Sequence, residues 1–341
     1  MKAIILAAGK GTRMRPLTNQ IPKPLIPICN FPTLIFVINK ILYSGIDNIG
    51  LVISPHDKEK FAEFINKFNL DKKVNIIIQE TPLGVAHAVK TARNFIKNED
   101  FLLYLGDNLI QDELEIYKNK FQNDSPDALL LLKEIDDPKM FGVAELNSNN
   151  ELIGIEEKPS KPKSNLAVTG IYFFKNKILK EINQISFSER GELEITDAID
   201  NLVGNGFVKG FKLQGWWIDT GNRKQILEAN SFIMKEIING SYSNLYENYE
   251  RKDNYLIGVN SKLNNVKVNG YAVIGNDVIL NSTNLNNNVS VSSNSNISNS
   301  LISNSIILEQ NYCENFEIIN SLIGTKYKKG VNKKIKDIID A

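Results

Sequence analysis

MKAIILAAGKGTRMRPLTNQIPKPLIP, residues 1–27, decides the reading of this chain. The apolar run Ala3-Ile4-Ile5-Leu6 predicts a buried strand, which breaks into Gly9-Lys10-Gly11-Thr12-Arg13. Ten residues beyond Arg13 stands Lys23, inside Ile21-Pro22-Lys23-Pro24. A strand, a glycine loop and two cations make a place to hold a polyphosphate. Glycines let the backbone approach phosphate oxygens, and N–H groups in such a loop form an anion nest. Arg13 adds a planar fork and Lys23 a point charge. The loop does not fit the Walker A pattern Gly-x-x-x-x-Gly-Lys-Ser/Thr. Met14 also stands where a dinucleotide-binding loop has its third glycine.

Outward from this loop, residues 1–240 alternate strand-like and helix-like segments. Short apolar runs at Lys2–Ala7, Ile49–Ser54, Val74–Gln79, Phe101–Leu105 and Ala128–Leu132 suit strands covered on both faces. Thr33–Ser44 and Asp57–Phe68 carry apolar residues at helical spacing. The alternation predicts an α/β sandwich with a mostly parallel, Rossmann-like sheet. Ligands of such sheets sit beyond the carboxyl ends of the strands. Gly9–Arg13 and Gly106-Asp107-Asn108 both follow strands, so both are expected to reach one crevice.

After about residue 245 the composition turns to Asn, Ser, Ile and Val. Apolar residues recur every six positions at Val268, Ile274 and Leu280, then at Leu285, Val291 and Ile297, and later at Leu301 and Ile307. That period reads as a hexapeptide parallel β-helix of left-handed type, with Asn tolerating the left-handed backbone of the corners. A disordered polar segment would not keep an apolar period. The expected domains are 1–240 for the α/β sandwich, 241–325 for the β-helix, and a basic tail over 326–341 that is a solvated end or a short capping helix.

The chain has 341 residues and a formal net charge of +1, so a dominant nucleic-acid footprint is absent. Hydrophobic residues make up 42% and charged ones 23%, an ordinary globular balance. Met1-Lys2 leads straight into the first strand and no apolar run is long enough to span a bilayer, so neither a secretory signal nor a membrane contact is expected. Cys29 and Cys313 lack metal-type spacing and read as free thiols of a cytoplasmic protein.

Three further motifs carry chemistry. In Gln79-Glu80-Thr81-Pro82-Leu83-Gly84-Val85-Ala86, the Gln79 amide offers the donor and acceptor that the imide edge of thymine or uracil needs, and Gly84 admits a base against the backbone. As a bare surface turn the segment would need no ligand. Asp107 in Tyr104-Leu105-Gly106-Asp107-Asn108 and Asp219 in Gly215-Trp216-Trp217-Ile218-Asp219-Thr220-Gly221 are candidate Mg2+ ligands, since magnesium takes one or two carboxylates beside phosphate and water. Phe141-Gly142-Val143-Ala144-Glu145, Gly154-Ile155-Glu156-Glu157-Lys158-Pro159 and Ser164-Asn165-Leu166-Ala167-Val168-Thr169-Gly170-Ile171-Tyr172 supply the carboxylate, lysine and amide that a sugar phosphate asks for. A hairpin edge with solvated charges would explain Glu156 alone. Arg190–Ala198 reads as a helix entry in which Thr196 and Asp197 cap or orient neighbours, without direct chemistry.

In this order the motifs cover most of residues 1–230 and resemble the sugar-nucleotide pyrophosphorylases, or nucleotidylyltransferases. They are most similar to the glucose-1-phosphate thymidylyltransferase branch, in its longer form with a C-terminal β-helix. The resemblance implies Mg2+-dependent attack of glucose 1-phosphate on the α-phosphorus of dTTP, giving dTDP-glucose and pyrophosphate. It implies catalytic roles for Arg13 and Lys23, and nucleotide contacts from Leu6, Ala8, Gly9, Gly11, Thr12, Arg13, Gln79, Pro82 and Gly84. The sugar phosphate would meet Lys23, Gly142, Glu157, Lys158, Asn165, Gly170, Tyr172 and Trp217, with Asp107 and Asp219 on the metal.

Three positions depart from the common thymidylyltransferase pattern. Ala8-Gly9 replaces two glycines, Lys23-Pro24 replaces Lys-Gln, and Leu83 replaces an aspartate of the short form. UTP therefore stays open as the alternative nucleotide. A non-catalytic subunit should have lost Arg13, Lys23, Asp107, Lys158 or Asp219, and all are present. A second, acyl-transferring activity would call for a histidine base in the β-helix, but both histidines, His56 and His87, precede it. The β-helix is expected to serve stability or assembly, with a homo-oligomer formed through it.

Overall fold

The computed structural model describes residues 1–325, 333–336 and 339–340. The chain falls into two compact units, Met1–Gly9 with Val37–Asp219 and Lys10–Phe36 with Thr220–Ala341.

The first unit is built on one sheet. Its central run is parallel, in the order Val74–Ile78, Ile49–Ile53, Lys2–Leu6, Phe101–Leu105. Ala3 lies between Ile49 and Leu102, and Leu6 between Val52 and Leu105, so the four carboxyl ends stand at one edge. These are the runs that the apolar pattern predicts. Beyond Phe101–Leu105 the sheet continues through antiparallel pairs and one further parallel strand. Leu166–Phe174 runs antiparallel to it and to Ala128–Glu134, and Val208–Lys212 pairs with the latter in parallel. The hairpin of Gly142–Leu146 and Leu152–Glu157 closes that side. Helix Ile195–Asn205 buries Ile195, Ala198, Ile199 and Leu202, the stripe of an amphipathic helix, in the core that holds Ile4, Phe101, Leu130 and Phe174.

In the second unit, helix Arg223–Ile238 starts at Asn222, whose side chain caps it by accepting from the Gln225 N–H at 3.1 Å. The C-terminal segment forms three parallel sheets. One stacks Tyr255–Ile257, Ala272–Ile274, Val289–Val291, Ile306–Ile307 and Leu322–Ile323. The second stacks Lys262–Asn264, Ile279–Asn281, Asn296–Ser298 and Tyr312–Glu314, and the third runs from Lys267–Asn269 through Phe316–Ile319. This is the β-helix that the six-residue period predicts. Its corners are left-handed, at Asn260, Asp277, Asn294 and Gln310 on one edge and at Asn265, Ser282, Asn299 and Asn315 on the next. Asn is favoured there because its short polar side chain tolerates that backbone. Stacked amides add ladders, with Asn264 donating to Asn281 at 2.9 Å and Asn269 to Asn286 at 3.0 Å.

Two expectations are corrected. Leu301, taken as an inward residue, is only half-buried, and its neighbour Ile302 fills the core. The coil is shorter than three hexapeptides. Val291 stacks on Ile274 seventeen residues earlier, whereas Ile307 stacks on Val291 after only sixteen. Each shortened corner moves the inward position by one. Lys333–Lys336, expected in a solvated end or a capping helix, is a strand paired with Phe316–Ile319, and Ile335 is buried with the β-helix core. Residues 326–332 of that tail lie outside the described residues.

The register yields a test. Ile302→Ala should destabilise the protein by about 2–5 kcal/mol, the usual cost of emptying an aliphatic core site, and Leu301→Ala by less than about 1 kcal/mol. Denaturant titration of both variants checks this; equal losses would contradict the register.

Candidate active site

In the first unit, the glycine loop begins where Lys2–Leu6 ends. Ala7 donates to the Val52 carbonyl at 2.8 Å, and Gly106 donates to the Leu6 carbonyl at 2.9 Å. Leu6 and Ala8 are half-buried and Gly9 is exposed, with open space where a Cβ would stand. A Cβ on Gly106 would meet the Leu6 carbonyl oxygen at 2.9 Å, so the close approach of these two strand ends requires glycine there.

Asp107 and Asp219 are brought together by strand pairing. Trp217–Asp219 runs antiparallel to Asn108–Ile110, with Asp219 opposite Asn108, the residue after Asp107. Asn108 is buried and works on both sides. Its Nδ2 donates to Asp107 Oδ1 at 3.0 Å, and its Oδ1 accepts from Trp217 Nε1 at 2.7 Å. The Trp217 ring meets Phe141 edge-on at 5.0 Å. Trp217 thus orients Asn108, which in turn orients Asp107. Among the described residues there is no cluster of three or more His, Cys, Asp or Glu that would cage a metal. Two carboxylates at one strand end, with Asp107 held by Asn108, do fit magnesium, which keeps several ligand positions for water and substrate phosphates.

Gln79 follows Val74–Ile78 and is 4% exposed. Its Nε2 lies 2.8 Å from His87 Nδ1, so the ring accepts through Nδ1 and the amide is held in one orientation. Burial, and then the charge of Lys90, hold the His87 imidazole below its ordinary range, which keeps Nδ1 able to accept. Gly84 has φ +104, and a Cβ there would meet the Leu193 carbonyl at 2.5 Å. The close approach comes from two flanking bonds, Leu193 N–H to the Leu83 carbonyl at 2.8 Å and Ala86 N–H to the Leu193 carbonyl at 3.1 Å. The segment is therefore a constrained turn locked to residue 193, with Pro82 exposed on it.

The third cluster sits at the end of the 142–157 hairpin, where Glu157 pairs with Gly142. A Cβ on Gly142 would meet Thr196 Cγ2 at 3.0 Å and Glu157 Oε2 at 3.3 Å. Lys158 Nζ is 3.6 Å from Glu157 Oε1. Gly170, at φ +79, marks a register shift in Leu166–Phe174, and a Cβ there would meet Leu105 Cδ1 at 2.6 Å. Asn165 is exposed, and its carbonyl accepts from the Ile135 N–H at 3.0 Å. Tyr172, expected to line the sugar side, has its ring in the core, stacked on Phe174 at 5.5 Å. Burial, and then the charge of Glu157, push its phenol far above the ordinary range, so it stays protonated.

One residue was missed by sequence reasoning. Arg190 contacts Glu157 at 3.2 Å, Glu192 at 3.2 Å and Glu194 at 3.4 Å, so it is the hub of the carboxylates around Glu157. Thr196 donates to Glu157 Oε2 at 3.4 Å, the orienting role expected of it. Burial first, then Glu157, raises the Asp197 carboxyl; burial also raises Glu194. No local signal in the sequence joins Arg190 to a glutamate 33 residues earlier.

In the second unit, Gly11 is left-handed at φ +58, and its carbonyl accepts from Thr18 Oγ1 at 2.8 Å. A Cβ on Gly11 would stand 2.9 Å from Thr18 Cγ2 and 3.2 Å from Lys23 Cβ. Glycine is thus what lets the loop lie against the base of Lys23. Thr12 and Arg13 open a short 3-10 turn and are exposed, anchored by the fully buried Met14. Lys23 opens another, between Pro22 and Pro24, and is half-buried.

The nucleotidyl transferase family profile matches residues 2–236. The chain belongs to that family. It is 40% identical over 236 residues to glucose-1-phosphate thymidylyltransferase of Streptomyces griseus, covering 69% of this chain and 66% of that protein. It is 42% identical over 237 residues to bifunctional protein GlmU of Methanococcus aeolicus, covering 70% of this chain but only 55% of that one. A Bacillus anthracis crystal structure with sucrose, of a protein proposed to be a glucose-1-phosphate thymidylyltransferase, superposes with a TM-score of 0.64 at 33% identity. It covers 68% of this chain and 94% of that one. The family match ends before the first β-helix strand. No helix among the described residues is long and apolar enough to cross a membrane.

The Gln79–His87 contact predicts a pH response. Protonated His87 cannot accept at Nδ1, so the Michaelis constant for the nucleotide should rise as pH falls below about 6.5. Because the folded-state pKa is depressed, the stability from this site is present above the ordinary histidine pKa and is lost as pH falls from there through the lower folded-state value. His87→Gln keeps an acceptor and should flatten the profile between pH 5 and 8. An unchanged profile in the variant would remove His87 from base reading.

Proposed function

We propose that the chain transfers a thymidylyl group from dTTP to glucose 1-phosphate, releasing pyrophosphate. The observation that carries this reading is the pairing that sets Asp219 opposite Asn108 and beside Asp107, two carboxylates 112 residues apart in sequence at one strand end. The 40% identity to a glucose-1-phosphate thymidylyltransferase supports the choice of sugar and nucleotide.

A phosphate oxygen of glucose 1-phosphate attacks the α-phosphorus, and the bridging oxygen leaves with its electron pair as pyrophosphate. No covalent intermediate is needed, so the protein contributes position and charge. Asp107 and Asp219 would hold Mg2+, which would neutralise phosphate charge when bound. Arg13 and the N–H groups of the 8–13 loop bind the leaving phosphates. Lys23 contacts the α-phosphate and the sugar phosphate and offsets their mutual repulsion. Gln79 and Gly84 read the base, with Leu6 and Pro82 beside it. Glu157 and Asn165 accept from or donate to sugar hydroxyls, and Lys158 balances the sugar phosphate. Gly142, Gly170 and Trp217 shape that side, with Tyr172 in the core beneath it.

UTP is the second reading, left open by the departures at Ala8-Gly9, Lys23-Pro24 and Leu83. The two nucleotides differ by one base methyl and one ribose hydroxyl, and a methyl contributes only about 1 kcal/mol of pocket contact. The β-helix carries no histidine, which argues against acyl transfer there. We assign it to stability and self-association, in a cytoplasmic enzyme.

Pyrophosphate release with glucose 1-phosphate, magnesium and each of dTTP, UTP, CTP, GTP and ATP tests the reading. The highest kcat/KM is expected with dTTP; a higher value with UTP would move the assignment to uridylyl transfer. Lys23→Ala should lower kcat by about 10²–10³ with the fold intact, the loss typical of removing one transition-state donor. A folded variant with wild-type kcat would exclude Lys23 from the chemistry.

A further inference from the structure

Three residues after Lys23 the chain enters a tight hairpin whose tip is held by the β-helix. Pro27–Ile28 pairs with Phe31–Pro32, leaving Cys29 and Asn30 as a two-residue turn. Both are left-handed, with φ +47 and +70. Such turns favour Asn and Gly, and a cysteine in that backbone persists only where its surroundings over-determine it.

The surroundings do so. Asn230, 1% exposed on helix Arg223–Ile238, accepts from the Cys29 N–H at 2.8 Å and from Ser290 Oγ at 2.7 Å through the same Oδ1. Tyr246 donates to the Cys29 carbonyl at 2.6 Å. Asn30 Nδ2 donates to the Val291 carbonyl at 3.1 Å and the Val273 carbonyl at 3.3 Å, bridging two successive coils. Its Oδ1 accepts from Ser292 Oγ at 3.1 Å. Ser290, Ser292, Val273 and Val291 all belong to the β-helix.

The path back to Lys23 is short and stiff. Thr33 closes the hairpin by donating to the Ile26 carbonyl through its N–H at 3.1 Å and its hydroxyl at 2.8 Å. Ile26 N–H donates to the Lys23 carbonyl at 3.2 Å, and Leu25 N–H to the Pro22 carbonyl at 2.8 Å. Pro22, Pro24 and Pro27 fix φ along the segment. One detail argues that Asn230 is there for its oxygen. Its Nδ2 is buried with no hydrogen-bond partner among the described residues, a cost that a well-packed apolar residue would avoid.

We infer that Asn30 and Asn230 are positioning residues through which the β-helix fixes the location of Lys23. This goes beyond the stabilising and assembling role given to the β-helix above, and it rests on the reading of Lys23 as a phosphate ligand. The chemistry requires it to be placed closely, since a displacement of about 1 Å can cost on the order of 100-fold in rate.

The test is a double-mutant cycle on the full chain. Asn30→Gly keeps the left-handed turn and removes the tie to both coils. Ser292→Ala removes one hydrogen bond from the β-helix side. The expected result, at a temperature well below melting, is a kcat lowered at least about tenfold by Asn30→Gly and less by Ser292→Ala. The nucleotide Michaelis constant should move less than twofold, and combination with Lys23→Ala should bring no further loss. Wild-type kcat in folded Asn30→Gly, or the same fold-loss in the Lys23→Ala background, would overturn the inference. Should Asn30→Gly not fold, Ser292→Ala decides by the same two criteria. A fully active Lys23→Ala is a separate result, which defeats the reading of Lys23 first.

Discussion

One side-chain oxygen organises the second unit. Asn230 Oδ1 takes hydrogen bonds from the Cys29 N–H and the Ser290 hydroxyl, joining a helix, a hairpin tip and a β-helix coil at a buried point. Removing it would leave a donor on each side unsatisfied in a buried site, which costs more than either bond contributes while made. Asn30 repeats the arrangement one residue later by bridging two coils. The hairpin that follows Lys23 therefore stands on a base built from helix Arg223–Ile238 and the β-helix.

The chemistry suits such a base. Both thiols are buried, and burial pushes Cys313 up to about 11 and Cys29 higher still, so neither is poised as a nucleophile. In the proposed reading, Arg13, Lys23, Asp107 and Asp219 act through placement of charge. Glycine recurs where placement demands contact between backbones or against a side chain, at Gly11 against Lys23, at Gly84 against Leu193 and at Gly106 against Leu6.

Much of this was legible in the sequence, for identifiable reasons. The parallel strands announce themselves because both faces are covered and the runs are continuously apolar. The β-helix is legible because its inward residues and left-handed Asn corners repeat together. Leu301 was misread because one inward step per coil is five residues, Leu280 to Leu285 and again Ile297 to Ile302, and a fixed six-residue period cannot report that. Asp107 and Asp219 were singled out by residue type, Asp107 also by its place at a strand end, but their adjacency comes from a strand pair with no local signature. Arg190 and Asn230 were invisible for the same reason. Their partners lie 33 residues away for Arg190 and 60 and 201 residues away for Asn230, and Ser290 looks like any other serine in a segment full of them.

The central claim is that positioned charges drive a single direct displacement. The stereochemical course at phosphorus tests it. With dTTP made chiral at the α-phosphorus by sulfur substitution, the account predicts a sugar nucleotide of inverted configuration. Retention would mean two displacements through a nucleotidyl-enzyme intermediate and would contradict it.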